Sequence, residues 1–488
     1  MWQKFSFIFL CFILGIIILF SGCRRDESFF EGKVSLRFSS DTLRFDTVFT
    51  SRGSATRILK IFNPETAPVK VSLSLENGSL SPFNFNADGE IGPDIDGLTI
   101  RPQDSIYVFV QVFIDPNEPA TSSPFIIEEL LQVKVNDNVQ YVLLEAWGQN
   151  ANYIPTTDAG GSVNLLSCRL NEISWDDPRP YVIYGILVID SCSLVLPPGT
   201  KIYVHGGVVR NQQSVYNDGL IAVLKNGKII SRGTPQDPVI IQGDRLEEAY
   251  ALASGQWVGV LLSSESRGNQ LDYTTIKNSL IGIRVDSLAQ LNLLGCRIYN
   301  TGNSGLIGRH ALIQATNCLF FDNGKHAVEL AHGGSYKFNY CTIGSYFGQF
   351  EAVSINDYFC YETPCQQLFI NNLNTEFLNC IIAGAGEEEV LMDKKGQNNI
   401  YQFTFKNTLY KVKNLAGNQL YNELIANSND CITLKGGEKL FADRRTGNYQ
   451  LDSLSVAIGK ARAVPDIAYD ILGKIRKPEN PDAGCFEK

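Results

Sequence analysis

Tyr273-Thr274-Thr275-Ile276, Gly295-Cys296-Arg297-Ile298, Asn317-Cys318-Leu319-Phe320, Tyr340-Cys341-Thr342-Ile343 and Asn379-Cys380-Ile381-Ile382 are one phrase returning along the chain. Thr274, Cys296, Cys318 and Cys341 stand 22, 22 and 23 residues apart. A second register, Gly282-Ile283, Gly305-Leu306, Ala327-Val328 and Ala352-Val353, advances by 23, 22 and 25. A period near twenty-two, built of short apolar strands with Asn, Gly and Asp turns, marks a stacked repeat. One unit cannot bury its own apolar face. Stacked units can, with strands pairing in parallel from coil to coil about 4.8 Å apart. The stretch from Leu271 to Ala383 therefore reads as a parallel β-helix.

The whole chain is 488 residues, too long for one ordinary core, so at least two domains are expected. Charged residues make up only 19%, and the 42 glycines suit strands and turns better than helices. The net charge of −9 argues against a nucleic-acid partner, because phosphate binding needs a basic surface. Glycans, cations and proteins stay open as partners.

Residues 1–22 read as a signal peptide: Lys4 is followed by a charge-free run from Phe5 to Phe20, short for a membrane span. Phe20-Ser21-Gly22-Cys23 resembles a bacterial lipobox, with Phe20 where Leu is usual. The resemblance implies acylation of Cys23 and attachment to the outer membrane, on its periplasmic or its surface face. Residues 23–33 then form a tether, and the charged Arg24-Arg25-Asp26-Glu27 is similar to surface-export signals of Bacteroidetes-type lipoproteins.

Of the remaining cysteines, Cys296, Cys318, Cys341 and Cys380 hold one core position of the repeat. Side chains stacked on one face rarely have disulfide torsions, so they are expected to be reduced and buried. Cys360 and Cys365 lie close together in a loop and suit a bridge in an oxidising compartment. Cys168 and Cys192 are a second candidate pair, and Cys431 and Cys485 have no assigned role. No CxxC or Cys/His spacing of the zinc type occurs, so no metal site is expected from the thiols.

From 34 to 150, about seven alternating strands separated by Pro, Gly and Asn turns read as a β-sandwich. Phe45-Asp46-Thr47-Val48, the Asn63 turn, the Pro102 loop before Ile106–Phe113, and Leu144-Glu145-Ala146-Trp147-Gly148 resemble Ig-like domains of the abnormal-spindle type. The resemblance implies a spacer or binding module. The acidic loop of Asp88, Glu90, Asp94 and Asp96 raises Ca²⁺ as an option without a full ligand pattern; otherwise no cofactor is expected.

Residues 151–180 read as linker and cap, with Thr156–Gly161 at the boundary, and 181–440 as the β-helix. Pro198-Gly199-Thr200 and Arg232-Gly233-Thr234 followed by Pro238-Val239-Ile240-Ile241 resemble the first coils of bacterial right-handed, pectate-lyase-like β-helix proteins. Asp470-Ile471-Leu472-Gly473, Arg476 and Pro481-Asp482-Ala483-Gly484-Cys485-Phe486-Glu487 are similar to the ending of many β-helix surface proteins. Residues 441–488 are accordingly expected to cap the last open strand edge.

Chemistry is sparse. His310, His326 and His332 fall in the central coils with Arg309, Lys325 and Glu329 nearby. Coil spacing puts Arg284 and Glu329 on one wall, and His332 beside them, as the catalytic candidates. Ala331-His332-Gly333-Gly334 resembles the Gly-His-Gly of pectin hydrolases, but the accompanying Asn-x-Asp, Asp-Asp and Arg-x-Lys elements are not found in the right order on successive coils. The coil from Cys341 to Cys380 spans 39 residues. Its excess, Asp357 to Asn371, carries Tyr358, Phe359 and Tyr361, whose faces suit sugar rings. Asn278, Asn300 and Asp322 read as turn chemistry. The expected function is a lipid-anchored envelope protein that binds a glycan or an envelope protein without turnover. The rival is a polysaccharide lyase or glycoside hydrolase, which needs acids and a Lys or Arg on adjacent coils facing one groove.

Overall fold

A computed structural model describes residues 28–49, 56–114, 125–155, 162–166, 168, 171–210, 215–247, 250–362, 365, 367–426, 428 and 430–488. The signal peptide, Cys23 and the Thr156–Gly161 boundary lie outside them. Two compact units divide at Asn150 and Ala151.

The first unit is two five-stranded sheets over one core. One sheet carries Arg37–Phe38, Arg57–Phe62, Ser105–Val112, Phe83–Ala87 and Glu90–Ile91 in that order. The other carries Thr42–Phe49, Asn138–Gln149, Phe125–Val135, Val69–Leu75 and Asp94–Ile100. Alternation does the work: Val69, Val71, Leu73 and Leu75 point inward, as do Val108, Val110 and Val112, and they meet in one apolar cluster. Asn63 is buried because its side-chain amide bridges a turn, donating to the carbonyls of Ala67, Ile100 and Arg101. Asp88 and Gly89 both have positive φ, the turn of a tight hairpin. Among the described residues no group of three or more His, Cys, Asp or Glu is arranged to hold a metal ion.

The second unit is a solenoid of three parallel stacks. The first stack has eleven strands, from Asn152–Ile154 through Thr274–Lys277, Arg297–Thr301 and Leu319–Asn323 to Ile432–Thr433. The second and third run through Ile283–Val285 and Gln290–Leu294 and merge in two long strands, Leu306–Thr316 and Val328–Asn339. The two registers seen in the sequence are real pairings: Ile276, Ile298 and Phe320 stack in turn, and so do Ile283, Leu306, Val328 and Val353. Their side chains fill the interior. The coils begin at Asn152 rather than at 181, because Val163–Leu166 and Glu172–Ser174 already pair with the next coil.

Each corner has its own turn chemistry. Tyr273, Gly295, Asn317, Tyr340, Asn379, Asn407 and Asp430 all take positive φ, one per coil. Each precedes a small buried residue: Thr274, Cys296, Cys318, Cys341, Cys380, Thr408 and the partly buried Cys431. Cys431 thus extends the ladder, its sulfur accepting the Thr408 N–H. Burial pushes the thiols of Cys296, Cys318 and Cys341 up, so all three stay protonated. Asn278, Asn300 and Asp322 hold the left-handed position of the next corner. Cys168 is bonded to Cys192, and Cys360 to Cys365.

The end of the shaft is closed by the helix Gln419–Ala426, which drives Tyr421 and Leu424 into the solenoid core. Residues 441–488 do something else than cap. They lie along the outer flank of the first stack, over Leu319, Phe321, Tyr340, Ile381 and Leu409. The sequence pattern of this tail is a latch. Asp470 accepts the N–H of Leu472, Lys474 and Glu487. The buried Arg476 donates to Asn317, to the carbonyls of Asp482 and Gly484, and to Glu487. Arg476→Lys keeps the charge and loses the fork, so it should cost about 2 kcal/mol and expose the tail to protease before the shaft unfolds. A tail cut no faster than in the native chain would contradict the latch.

Candidate functional site

The corner between the second and third stacks is where the coils carry charge outward. Along the second stack, Arg284, Ile307, Glu329 and Ser354 succeed one another on the outer face. Arg284 and Glu329 are therefore two coils apart, about 10 Å. Both are already engaged. Arg284 grips the Asp286 carboxylate with two hydrogen bonds of 2.8 and 3.0 Å. Glu329 accepts from the Ser304 hydroxyl at 2.7 Å and from the Lys325 ammonium at 3.2 Å. Burial works to raise the Glu329 carboxyl, but those donors outweigh it and hold it below its usual range.

Arg309 and His332 are the residues left open. The Arg309 guanidinium is half-buried, makes no side-chain hydrogen bond or ion pair among the described residues, and feels Arg284, Asp286 and Glu329. His332 shares its surroundings. Burial first, then the charge of Arg309, pull its imidazole down to about 4, so it is a neutral base at ordinary pH. No side-chain hydrogen bond occupies either ring nitrogen among the described residues. The backbone of His332 is fixed instead: its N–H donates to Asn356 at 2.9 Å, and its carbonyl accepts from the Asn371 side chain at 2.9 Å. Its φ of 63° turns the corner. Gly333 and Gly334 follow because a Cβ would meet Asn372 O at 2.6 Å and Ala311 O at 2.7 Å.

The extra length of the next coil is a hairpin, Tyr358–Cys360 against Leu368–Ile370. Asp357 staples its base, fully buried and accepting from Lys395, Gly396 and Asn399. Phe359 meets the His332 ring at 4.6 Å between centroids. Phe369 pairs with Phe359 across the hairpin, and Tyr361 stands 80% exposed beyond it. Tyr358 is not free for a ligand: its hydroxyl donates to Asp393 at 2.6 Å, and that bond pushes its pKa up to about 12.

The fold thus brings the candidates Arg284, Glu329 and His332 onto one wall with Phe359 and Tyr361. Two other histidines are structural. His326 is buried against the carbonyl of Glu351 at 2.8 Å, and His310 turns the corner one coil before His332, bonded to Ser287. Asp286 and Phe369 were not singled out from the sequence, and Arg309 was placed near the histidines without being made a candidate. Arg309 had a signal, since it stands 23 residues from both Asp286 and His332.

No family model and no curated sequence matches this chain. Among solved structures it is similar to a family 123 glycoside hydrolase from Clostridium perfringens, at 12% identity and a TM-score of 0.19, over 25% of this chain and 30% of that one. It is similar to the periplasmic alginate epimerase AlgG, at 9% identity and a TM-score of 0.27, over 60% of this chain and 85% of that one. A GH87 alpha-1,3-glucanase catalytic domain is similar at 11% identity and a TM-score of 0.22, over 72% of this chain and 80% of that one. The chain spans less than a third of the first of these. Identities and TM-scores this low say nothing about chemistry, which has to come from the residues themselves.

Proposed function

We propose that this chain is a lipid-anchored envelope protein, an Ig-like sandwich followed by a right-handed β-helix, that acts on an acidic polysaccharide as a lyase. One observation carries the reading: among the described residues the Arg309 guanidinium is unpaired and lies beside the neutral His332 imidazole, whose ring has no hydrogen-bond partner, next to exposed aromatic rings. The flanking charges cancel in pairs, Arg284 with Asp286 and Lys325 with Glu329, so the centre keeps one surplus positive charge on an otherwise acidic chain. A sugar carboxylate fits that surplus. Arg309 draws electron density from the carboxylate, and His332 removes the proton from the carbon alpha to it. The electron pair then forms a carbon–carbon double bond as the glycosidic oxygen leaves with the former bonding pair and takes up a proton. Hydrolysis is the poorer reading, because it needs two available carboxyl groups, and Asp286 and Glu329 are both spent on cations.

The test is incubation of the purified protein with acidic and neutral polysaccharides in deuterated water. Ultraviolet-absorbing unsaturated ends from an acidic polymer are expected, and deuterium at the carbon alpha to the carboxylate would report the first step alone. Binding with neither signal returns the function to glycan recognition without turnover.

The anchor has its own check. Mass spectrometry should find acyl chains on Cys23, and Cys23→Ala should leave the membrane fraction. An unacylated native chain would end that part of the proposal.

A further inference from the structure

A cavity of about 400 Å³ opens on the outer side of the first stack, where Ala383 and Gly384 face the loop Leu434–Arg445. This is a different face of the solenoid from the corner that holds Arg309 and His332. Its size is in the range of small-ligand sites. Its lining is cationic: Lys411, Arg444 and Arg445 against the single carboxylate of Glu438. Glu438 is spent on its own loop, accepting the N–H of Lys435 at 2.6 Å and of Gly436 at 2.8 Å.

Lys411 is the unusual member. It is only 9% exposed, yet its ammonium makes no hydrogen bond or ion pair among the described residues. The ammonium lies over Gly436, where a Cβ would stand 3.5 Å from Nζ, and Gly436 and Gly437 take φ of 92° and 90° to pass it. Glu389, buried behind Gly384, feels the Lys411 charge but forms no ion pair with it; one of its oxygens accepts the Ala352 N–H. Arg444 lies over the Tyr346 ring at 4.4 Å, and the Arg445 guanidinium has no partner among the described residues. Lys411 is therefore a nine-tenths buried side chain whose ammonium reaches the cavity in contact with no carboxylate among the described residues, and an anionic ligand there would complete its pairing. Phe347, 60% exposed, lines the same cavity and offers a flat apolar face.

We propose that this cavity binds an anionic sugar, a ring carrying a carboxylate or a sulfate, with the anionic group on Lys411 and Arg445 and the ring against Phe347. The site stands apart from the lyase reading. It is tested on the full chain carrying Arg309→Ala, which removes the other candidate anion site. Titration calorimetry compares glucuronate, a glucose monosulfate, inorganic sulfate and glucose. At least one anionic sugar should bind better than glucose and better than inorganic sulfate, and the preferred one tells carboxylate from sulfate. Lys411→Met should weaken it about tenfold or more, while Lys411→Arg, which keeps the charge in the same fold, should retain most of the affinity. Phe347→Ala should weaken the sugars and leave inorganic sulfate unchanged. Anionic sugars that bind no better than glucose, or an affinity indifferent to Lys411→Met, would overturn the proposal. Equal binding of inorganic sulfate and both sugars, untouched by Phe347→Ala, would reject the sugar and leave a bare anion site.

Discussion

Cys318→Asp is expected to unfold the solenoid at neutral pH, while Cys318→Ala lowers its stability by only about 1 kcal/mol. Cys318 is fully buried in the middle of the thiol ladder, with Cys296 on one side and Cys341 on the other. Its sulfur donates weakly to the carbonyl of Thr316 at 3.3 Å, a group that offers a carboxylate nothing. An ionised carboxylate there would exchange its hydration for little more than the backbone donor from Cys296, a penalty of several kcal/mol and comparable to the whole stability of many domains. The pH dependence has a definite sign. Burial raises the folded-state pKa of the new Asp above its unfolded value of about 3.9. The folded chain then binds the proton more tightly than the unfolded chain, so the variant is most stable in acid and loses stability as pH rises from about 4 toward the raised pKa. Denaturant titrations of the three proteins at pH 4 and pH 7 measure this. An Asp variant as stable as the Ala variant at pH 7 would mean that the ladder does not face the interior.

His332→Asn is expected to reduce polysaccharide turnover by about 100-fold or more, the usual contribution of a positioned general base, while leaving the fold intact. Asn tolerates the left-handed backbone that His332 adopts, so loss of activity would not be loss of the corner. In the native chain the imidazole is neutral above about 4. Activity should therefore hold across neutral pH and fall only as pH drops through about 4, where the base becomes protonated. Arg309→Ala should depress turnover as strongly on an acidic polymer, because it removes the charge that stabilises the carbanion. A native pH profile that breaks near the ordinary imidazole value of about 6.5 would show that His332 is not the base.

The repeat period was legible in the sequence, and with it the stacks. Residues one coil apart must be alike when they pack on one another, so Thr274, Cys296, Cys318 and Cys341 repeat at a near-constant step. Alternation in Val69–Leu75 and Ile106–Phe113 was legible for a related reason: a strand with one buried face has to alternate. The ends were misplaced. Val163–Leu166 and Glu172–Ser174 form coil strands without the repeated phrase, since a terminal coil packs on one neighbour only. The tail was read as a cap because its motif shows a buried network but not which surface it meets; Arg476 finds Asn317 across 159 positions.

For the site, the sequence by itself determined which coils carry the charged residues, and that Arg284 and Glu329 share a column. It also determined that the break in the period brings aromatic rings. Only the tertiary structure decided which of those groups are free. Among the described residues Arg284 is neutralised by Asp286 and Glu329 by Lys325, with a hydrogen bond from Ser304, while Arg309 and His332 are left open. The reason is physical: strand periodicity fixes the face on which a side chain emerges, but hydrogen-bond partners at a corner depend on how two coils bend past each other. That bend is set at His310 and His332, where φ turns positive and the register of the long strands slips between Arg309 and Ala311.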